Sequence, residues 1–420
     1  MKASVRLDHE LLAVEGEHTV HAMFELSVPE PQSDKPRPPL HLAVVIDRSG
    51  SMSGPKLDRT KEAAAYLMRR LASTDEVALV TYDEQVDLIA SLAPADPEAL
   101  SHVINQIWPG GTTNLSGGWL KGIEELRRAA EDGSRKVLLL TDGLANQGIT
   151  DRDTLVDMAK QALAAGVGTT TIGFGDGFDE ELLTRMAEAA GGNSHFIASP
   201  EDAPAIFADE FEDLTSLVAQ NVSVEIRPSE EVKLLGVLNE FPATEVVGGV
   251  QFALGDAYGG EQRRVVFELH IPELARLGVT TVAELVLRYV LVGDEIAAHE
   301  LVLPLKINMV QADEASQAEP DKEVTEEVLI LKAAKAQKEA RERADGGDFD
   351  GAQNLLLEAA SGIEAALPGS ERAQELQKEA AILHDQAGMA APQSWGAASS
   401  KAVHFDANRK RQSHRRRPRD

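Results

Sequence analysis

Between residues 41 and 198, short runs of aliphatic and β-branched residues alternate with longer amphipathic stretches, and that alternation leaves few folds open. The runs are His41–Ile46, Val77–Tyr82, Val137–Leu140, Thr169–Phe174 and His195–Ile197. They lack polar alternation, as strands covered on both faces do. Helix-like segments lie between them at Lys56–Ala72, Leu115–Glu131, Thr154–Ala165 and Glu180–Ala190. In the first, Leu57, Ala64, Leu67, Met68 and Leu71 recur at helical spacing opposite Lys61, Glu62 and Arg69. Strand followed by helix, repeated, predicts an α/β fold with a doubly wound, mostly parallel sheet. Gln85–Leu92 reads as an edge strand turning back from Tyr82, which makes the sheet mixed.

Near Leu217 the texture changes to period two. Val265, Phe267, Leu269 and Ile271 share one face, as do Leu285, Leu287, Tyr289 and Leu291, and Leu301, Leu303, Leu305 and Ile307. Turn signals such as Gly248-Gly249 and Gly293-Asp294 separate them, which predicts a small antiparallel β-sandwich. Two N-terminal strands, Ser4–Val14 and Thr19–Val28, are expected to complete it, so that the α/β region is an insertion. After a polar linker at 311–321, Val324–Ala344 and Gln353–Leu367 flank Asp345–Asp350 as a C-terminal α-helical hairpin, and Ser370–Ala387 offers a third helix. The expected division is 1–38 (strands of the sandwich), 40–215 (α/β), 216–310 (sandwich), 322–387 (helices) and 388–420. That last stretch has no core-forming pattern, so it reads as a disordered basic tail whose loss leaves folding untouched.

Chemistry concentrates at strand ends. Ile46 runs directly into Asp47-Arg48-Ser49-Gly50-Ser51, and ligands of open α/β sheets collect outside the carboxyl ends of the strands. One carboxylate and two hydroxyls aimed at one point are hard oxygen donors, suited to Mg²⁺ first and then Mn²⁺ or Ca²⁺. Two further segments fit the same point: the glycine-rich loop Pro109–Leu115, carrying Thr112 and Thr113, and Thr141-Asp142-Gly143 at the end of another apolar run.

These three motifs together resemble a von Willebrand factor type A domain with an intact metal-ion-dependent adhesion site, over about residues 40–215, in its bacterial cytoplasmic form. The resemblance implies a Rossmann-like fold in which Ser49, Ser51 and Thr113 ligate a metal through hydroxyls, while Asp47 and Asp142 act directly or through water. Thr113 is preferred because the family's threonine directly precedes an Asn, here Asn114; Thr112 is the alternative. It further implies a non-enzymatic binding or scaffold protein, whose Mg²⁺-loaded site captures an Asp or Glu carboxylate of a partner protein.

The competing readings are weaker. Asn114 and Asn146 read as loop-shaping residues. Gly173-Phe-Gly-Asp-Gly177 lacks the spacing of a dinucleotide loop, no His-Glu-x-x-His occurs, and no Gly-x-Ser-x-Gly marks a serine nucleophile. A metal-dependent phosphohydrolase lacks an evident nucleophile or base, since Asp47 is not followed by a second Asp. A regulatory subunit whose site is filled in cis by Glu314 or Glu319 is a third reading. Cysteine is absent, which excludes disulfides and thiolate metal sites. The charged N-terminus is not a secretory signal, and no segment approaches the roughly 18 apolar residues of a membrane span; a cytoplasmic protein without membrane contact is expected. The net charge of −28 argues against nucleic-acid binding by the body. Ala397–Asp420 departs from it: Lys401, Arg409, Lys410, Arg411, Arg415, Arg416, Arg417 and Arg419 against Asp406 and Asp420 give +6, enough for a weak nucleic-acid contact. An acidic body also repels unselected acidic proteins, so the captured carboxylate is expected from a basic or neutral patch.

Overall fold

The computed structural model describes residues 1–30, 37–130, 133–274, 276–292, 297–412 and 415–416. The chain forms two compact units, one spanning the stretch between Glu30 and Ala219 and joined by Val292, the other built from the remaining segments on either side of it. Three strands open the chain: β1 (Lys2–Leu7), β2 (Leu11–Ala13) and β3 (His18–Ser27).

The α/β unit follows as β4 (Leu40–Asp47), α1 (Pro55–Met68), β5 (Glu76–Tyr82), β6 (Val86–Pro94), α2 (Pro97–Asn105), α3 (Leu115–Leu126) and β7 (Ser134–Thr141). It continues through α4 (Arg152–Ala164), β8 (Val167–Phe174), α5 (Glu180–Ala189), β9 (Ser194–Ile197) and α6 (Ala203–Thr215). Its sheet runs β6-β5-β4-β7-β8-β9, parallel except for the antiparallel edge strand β6. Every residue of β4 and β8 is buried, which is the physical source of their unbroken apolar runs. Leu57, Ala64, Leu67 and Met68 of α1 pack into one core with Leu42, Val44, Ile46 and Leu79. The helix stops at Met68, short of the periodic pattern, and Leu71 reaches the same core from beyond its end. Because β5 lies on one side of β4 and β7 on the other, chain order reverses at β4, and its carboxyl end opens a crevice.

The second unit resumes with β10 (Leu217–Pro228), β11 (Lys233–Val237), β12 (Ala243–Val246), β13 (Gly249–Tyr258), β14 (Glu261–Ile271), β15 (Gly278–Leu291) and β16 (Ala297–Val310). Then come α7 (Ala312–Ala315), α8 (Lys322–Asp345), α9 (Phe349–Ala366), α10 (Ala373–Met389), α11 (Ala397–Gln412) and β17 (Arg415–Arg416). One sheet runs β1-β3-β14-β11, with β17 also on β14; the other runs β12-β13-β10-β15-β16-β2. The period-two reading of β14 is incomplete. Val265, Phe267, Leu269 and Ile271 are buried, but so is Val266, because α8 covers the opposite face and packs Val324, Val328 and Leu331 on Met23 and Val266. In β16 the inward face begins late: Leu305 and Ile307 are buried, whereas Leu301 is exposed. The helices form more than a hairpin, since α8, α9 and α10 share a core containing Ile330, Leu356, Ile363, Leu376 and Leu383.

Residues 397–412, expected to be disordered, form α11. Its Val403 and Ala407 are buried, and its charges are neutralised locally. Lys410 Nζ lies 2.6 Å from Glu379 Oε2 and 2.8 Å from Asp406 Oδ2, and Gln337 Nε2 of α8 donates to Asp406 Oδ2 at 2.7 Å. Two apolar residues one turn apart carry no amphipathic signal, and a run of cations normally reads as solvated. Positions 413, 414 and 417–420 of the expected tail lie outside the described residues. Deleting residues 397–420 is therefore expected to destabilise this unit by about 2–3 kcal/mol, through lost burial and an unpaired Glu379. An unchanged urea midpoint would restore the disordered reading.

Candidate metal centre

Asp47, the last residue of β4, is completely buried. Both its oxygens are engaged: Oδ1 accepts the Ser49 N–H at 2.8 Å, and Oδ2 accepts the Thr141 hydroxyl at 2.7 Å. The carboxylate thus holds the turn after β4 and ties it to the end of β7. Ser49 Oγ lies 3.1 Å from Ser51 Oγ, and Ser51 Oγ donates to Asp142 Oδ1 at 2.6 Å. The other Asp142 oxygen accepts Lys56 Nζ of α1 at 2.5 Å. Thr113 is 4% exposed and is clasped by Asn146, which accepts its N–H at 3.1 Å through Oδ1 and donates its own N–H to the Thr113 carbonyl at 3.3 Å. A methyl group built on Gly143 stands 3.1 Å from Thr113 Oγ1 and 3.7 Å from Ser51 Oγ, so these groups converge on one point that glycine leaves open. Thr112 is exposed instead, and its N–H donates to Glu84 at 3.2 Å. Ser49, Ser51, Thr113 and Asp142 are brought together, with Asp47 behind them.

Burial pushes the Asp47 carboxyl up to about 6; the charge of Asp142 adds to the rise, and hydrogen bonds from Thr141 and Ser49 oppose it. Tyr82 sits beside the pair with its hydroxyl donated to the Leu140 carbonyl at 3.1 Å. Burial and the charges of Asp47 and Asp142 hold that phenol well above its ordinary range, so it stays a neutral donor. Three hydroxyls and two carboxylates are oxygen donors throughout, which fits a hard divalent cation. No group of three His, Asp or Glu side chains suited to a metal exists among the described residues, so this hydroxyl-rich set stands apart from an imidazole or polycarboxylate site.

Sequence reasoning missed the scaffold of the centre. Arg48 Nε lies 3.2 Å from Asp83 Oδ2 and its Nη2 2.6 Å from Asp87 Oδ2, bracing the turn against the β5–β6 hairpin. The Arg48 carbonyl accepts the Gly110 N–H at 2.6 Å, the Gly50 N–H reaches the Gly111 carbonyl at 2.9 Å, and the Asn114 N–H reaches the Asp83 carbonyl at 2.8 Å. A Cβ at Gly110 would fall 1.7 Å from Asp83 Oδ2, so only glycine lets this loop lie so close. Asn114, read as a shaping residue, caps α3 by accepting the Gly117 N–H at 3.0 Å. No local signal marks these pairings, because Arg48 and its partners are 35 and 39 residues apart. Arg48→Ala is expected to weaken Mg²⁺ binding about tenfold, as loss of supporting groups does, with about 1 kcal/mol of lost stability. Calorimetric titration checks the affinity, and an unchanged value would remove Arg48 from the scaffold.

Residues 41–215 match the family model of the von Willebrand factor type A domain. Over 343 residues the chain is 27% identical to an uncharacterized protein of Synechocystis sp., covering 77% of this chain and 78% of that one. Among solved structures it resembles a von Willebrand factor type A protein from Catenulispora acidiphila with a TM-score of 0.69, at 16% identity over 92% of this chain and 88% of that one. It also resembles the ArnB paralog VWA2 from Sulfolobus acidocaldarius, with a TM-score of 0.62 at 16% identity over 98% and 97% of the two chains. Domains of the matched family commonly bind a divalent metal and mediate contacts between proteins. The match and both likenesses give residues 41–215 the fold of a von Willebrand factor type A domain.

Proposed function

We propose that this protein is a non-enzymatic binding or scaffold protein whose Mg²⁺-loaded centre captures an Asp or Glu carboxylate of a partner. The observation that carries this reading is the convergence of Ser49, Ser51, Thr113 and Asp142 at the carboxyl ends of β4 and β7. A divalent cation held there supplies positive charge and an open position for one more oxygen ligand. Asp47 is held back by Ser49 and Thr141, which leaves Asp142, paired with Lys56, as the one forward carboxylate, so a divalent cation there still presents positive charge to an incoming anion. Asp47 is also completely buried and each of its oxygens already holds a donor of the protein, so it is poorly placed to take a proton from an incoming water, which favours binding over hydrolysis. No helix among the described residues is long and apolar enough to cross a membrane.

A pull-down in Mg²⁺ is expected to retain a partner that is lost in chelator and with Asp142→Ala. Identical captured sets in all three conditions would sink the reading. Hydrolysis of a generic phosphate ester, abolished by Asp47→Ala, would replace it with the phosphohydrolase.

A further inference from the structure

Two large apolar side chains stand in water on the loops that build the centre. Trp108 is 74% exposed and Leu144 is 53% exposed. Trp108 lies two residues before Gly110, which is bonded to Arg48, and Leu144 directly follows Gly143, which abuts Thr113 and Ser51. Two residues of chain span at most about 7 Å, so Trp108 starts close to the Gly110–Arg48 bond, one residue from Ser49, and Leu144 starts next to Gly143, where the hydroxyls converge. The other two tryptophans have partners within the fold. Trp119 is fully buried with Nε1 donated to Thr169 at 3.1 Å, and Trp395 Nε1 donates to Asp345 at 2.9 Å. An indole left in water is a large apolar area without cover, and such areas mark contact sites. Positive charge accompanies it. Lys61 Nζ lies 5.8 Å from the Trp108 ring centroid, and Lys56, five residues earlier on the same helix, has its amine on Asp142.

We propose that this rim reads the residue beside the captured carboxylate. The occupant is a segment of a partner protein in which an Asp or Glu is flanked by an apolar side chain, seated on Trp108 and Leu144, with Lys56 and Lys61 favouring its negative charge. This rests on the carboxylate-capture reading above. A lone carboxylate is common to every acidic surface and discriminates little. An adjoining apolar contact adds selectivity, because only a flanked acid covers the indole.

The test uses the full chain and two capped pentapeptides with a central aspartate, flanked by leucines in one and by glycines in the other, titrated in Mg²⁺ and in chelator with tryptophan fluorescence as readout. The leucine-flanked peptide is expected to bind about tenfold more tightly and to shift emission to the blue, both only in Mg²⁺. Trp108→Ala is expected to abolish that advantage, and Leu144→Ser to reduce it. Both variants should keep the wild-type melting temperature within about 1 °C and keep its response to Mg²⁺, since both side chains are exposed. Equal affinity for the two peptides, binding of neither, or an advantage that survives Trp108→Ala overturns the proposal. An absent Mg²⁺ response in the wild type overturns the underlying metal reading as well, so the two failures are distinguishable.

Discussion

Saturating Mg²⁺ or Mn²⁺ is expected to raise the melting temperature of the α/β unit by about 5–10 °C in the wild type and not at all in Asp47→Ala/Ser49→Ala. A ligand that binds only the folded state, present at a hundred times its dissociation constant, adds about 2.7 kcal/mol. For a unit of this size each kcal/mol is worth about 2–4 °C. An equal shift in both proteins would sink the site. Asp47→Asn sharpens the test, because the charge on Asp47 is itself costly. Its carboxyl rises from 3.8 to about 6 on folding, chiefly through burial, a penalty of about 3 kcal/mol at most. For a raised carboxyl the cost is complete above pH 6, fades as pH falls toward 3.8, and is gone below it. In chelator at pH 8 the Asn variant is therefore expected to be about 1–3 kcal/mol more stable than the wild type, with the gap closing near pH 4. The amide keeps an oxygen for the Ser49 N–H and offers a donor that the Thr141 hydroxyl accepts. Higher stability without metal, together with a lost Mg²⁺ response, is the signature of a group retained for binding rather than for folding.

Replacing Arg264 by Met is expected to cost the other unit about 3–5 kcal/mol. The guanidinium, on β14, is nearly buried and donates to Glu25 Oε2 and Glu327 Oε2, each at 2.9 Å, and to Glu323. Glu327 is fully buried on α8, and its second partner is Arg372 Nη1 at 3.0 Å. Burial opposes charge on both guanidiniums, yet the carboxylates around them together outweigh it, Glu327 and Glu25 at Arg264 and Glu375 with Glu327 at Arg372, and hold both above their ordinary values. The loss of Arg264 takes a charged donor away from the fully buried Glu327 carboxylate. Because the deficit is a lost ion pair and not lost volume, Arg264→Met/Glu327→Gln should recover part of it in urea titrations. A single variant within about 1 kcal/mol of the wild type would show that the cluster is solvated.

The α/β region was legible because its residues are constrained locally. A strand covered on both faces must be apolar throughout, as β4 and β8 are, and a helix with one inward face must repeat Leu57, Ala64, Leu67 and Met68. β14 was only half legible, since nothing in its own run announces that α8 will cover Val266 from far along the chain. α11 was misread for a related reason. Its charges are met within the fold, Lys410 by Glu379 and Asp406, and Asp406 further by a hydrogen bond from Gln337, and composition alone does not distinguish a neutralised cation from a solvated one.

The candidate centre divides in the same way. By itself the sequence determined which residue types stand at strand ends: one carboxylate and two hydroxyls after β4, two threonines in a glycine-rich loop, and one carboxylate after β7. Tertiary structure alone decided their parts. Asp47 is taken up by Thr141, 94 residues away, while Asp142 faces Ser51 across 91 residues. Thr113 turns inward to Gly143, while Thr112 stays exposed at Glu84. Periodicity records burial along a single element, whereas the choice of a hydrogen-bond partner depends on which distant loops the sheet brings within about 3 Å of each other.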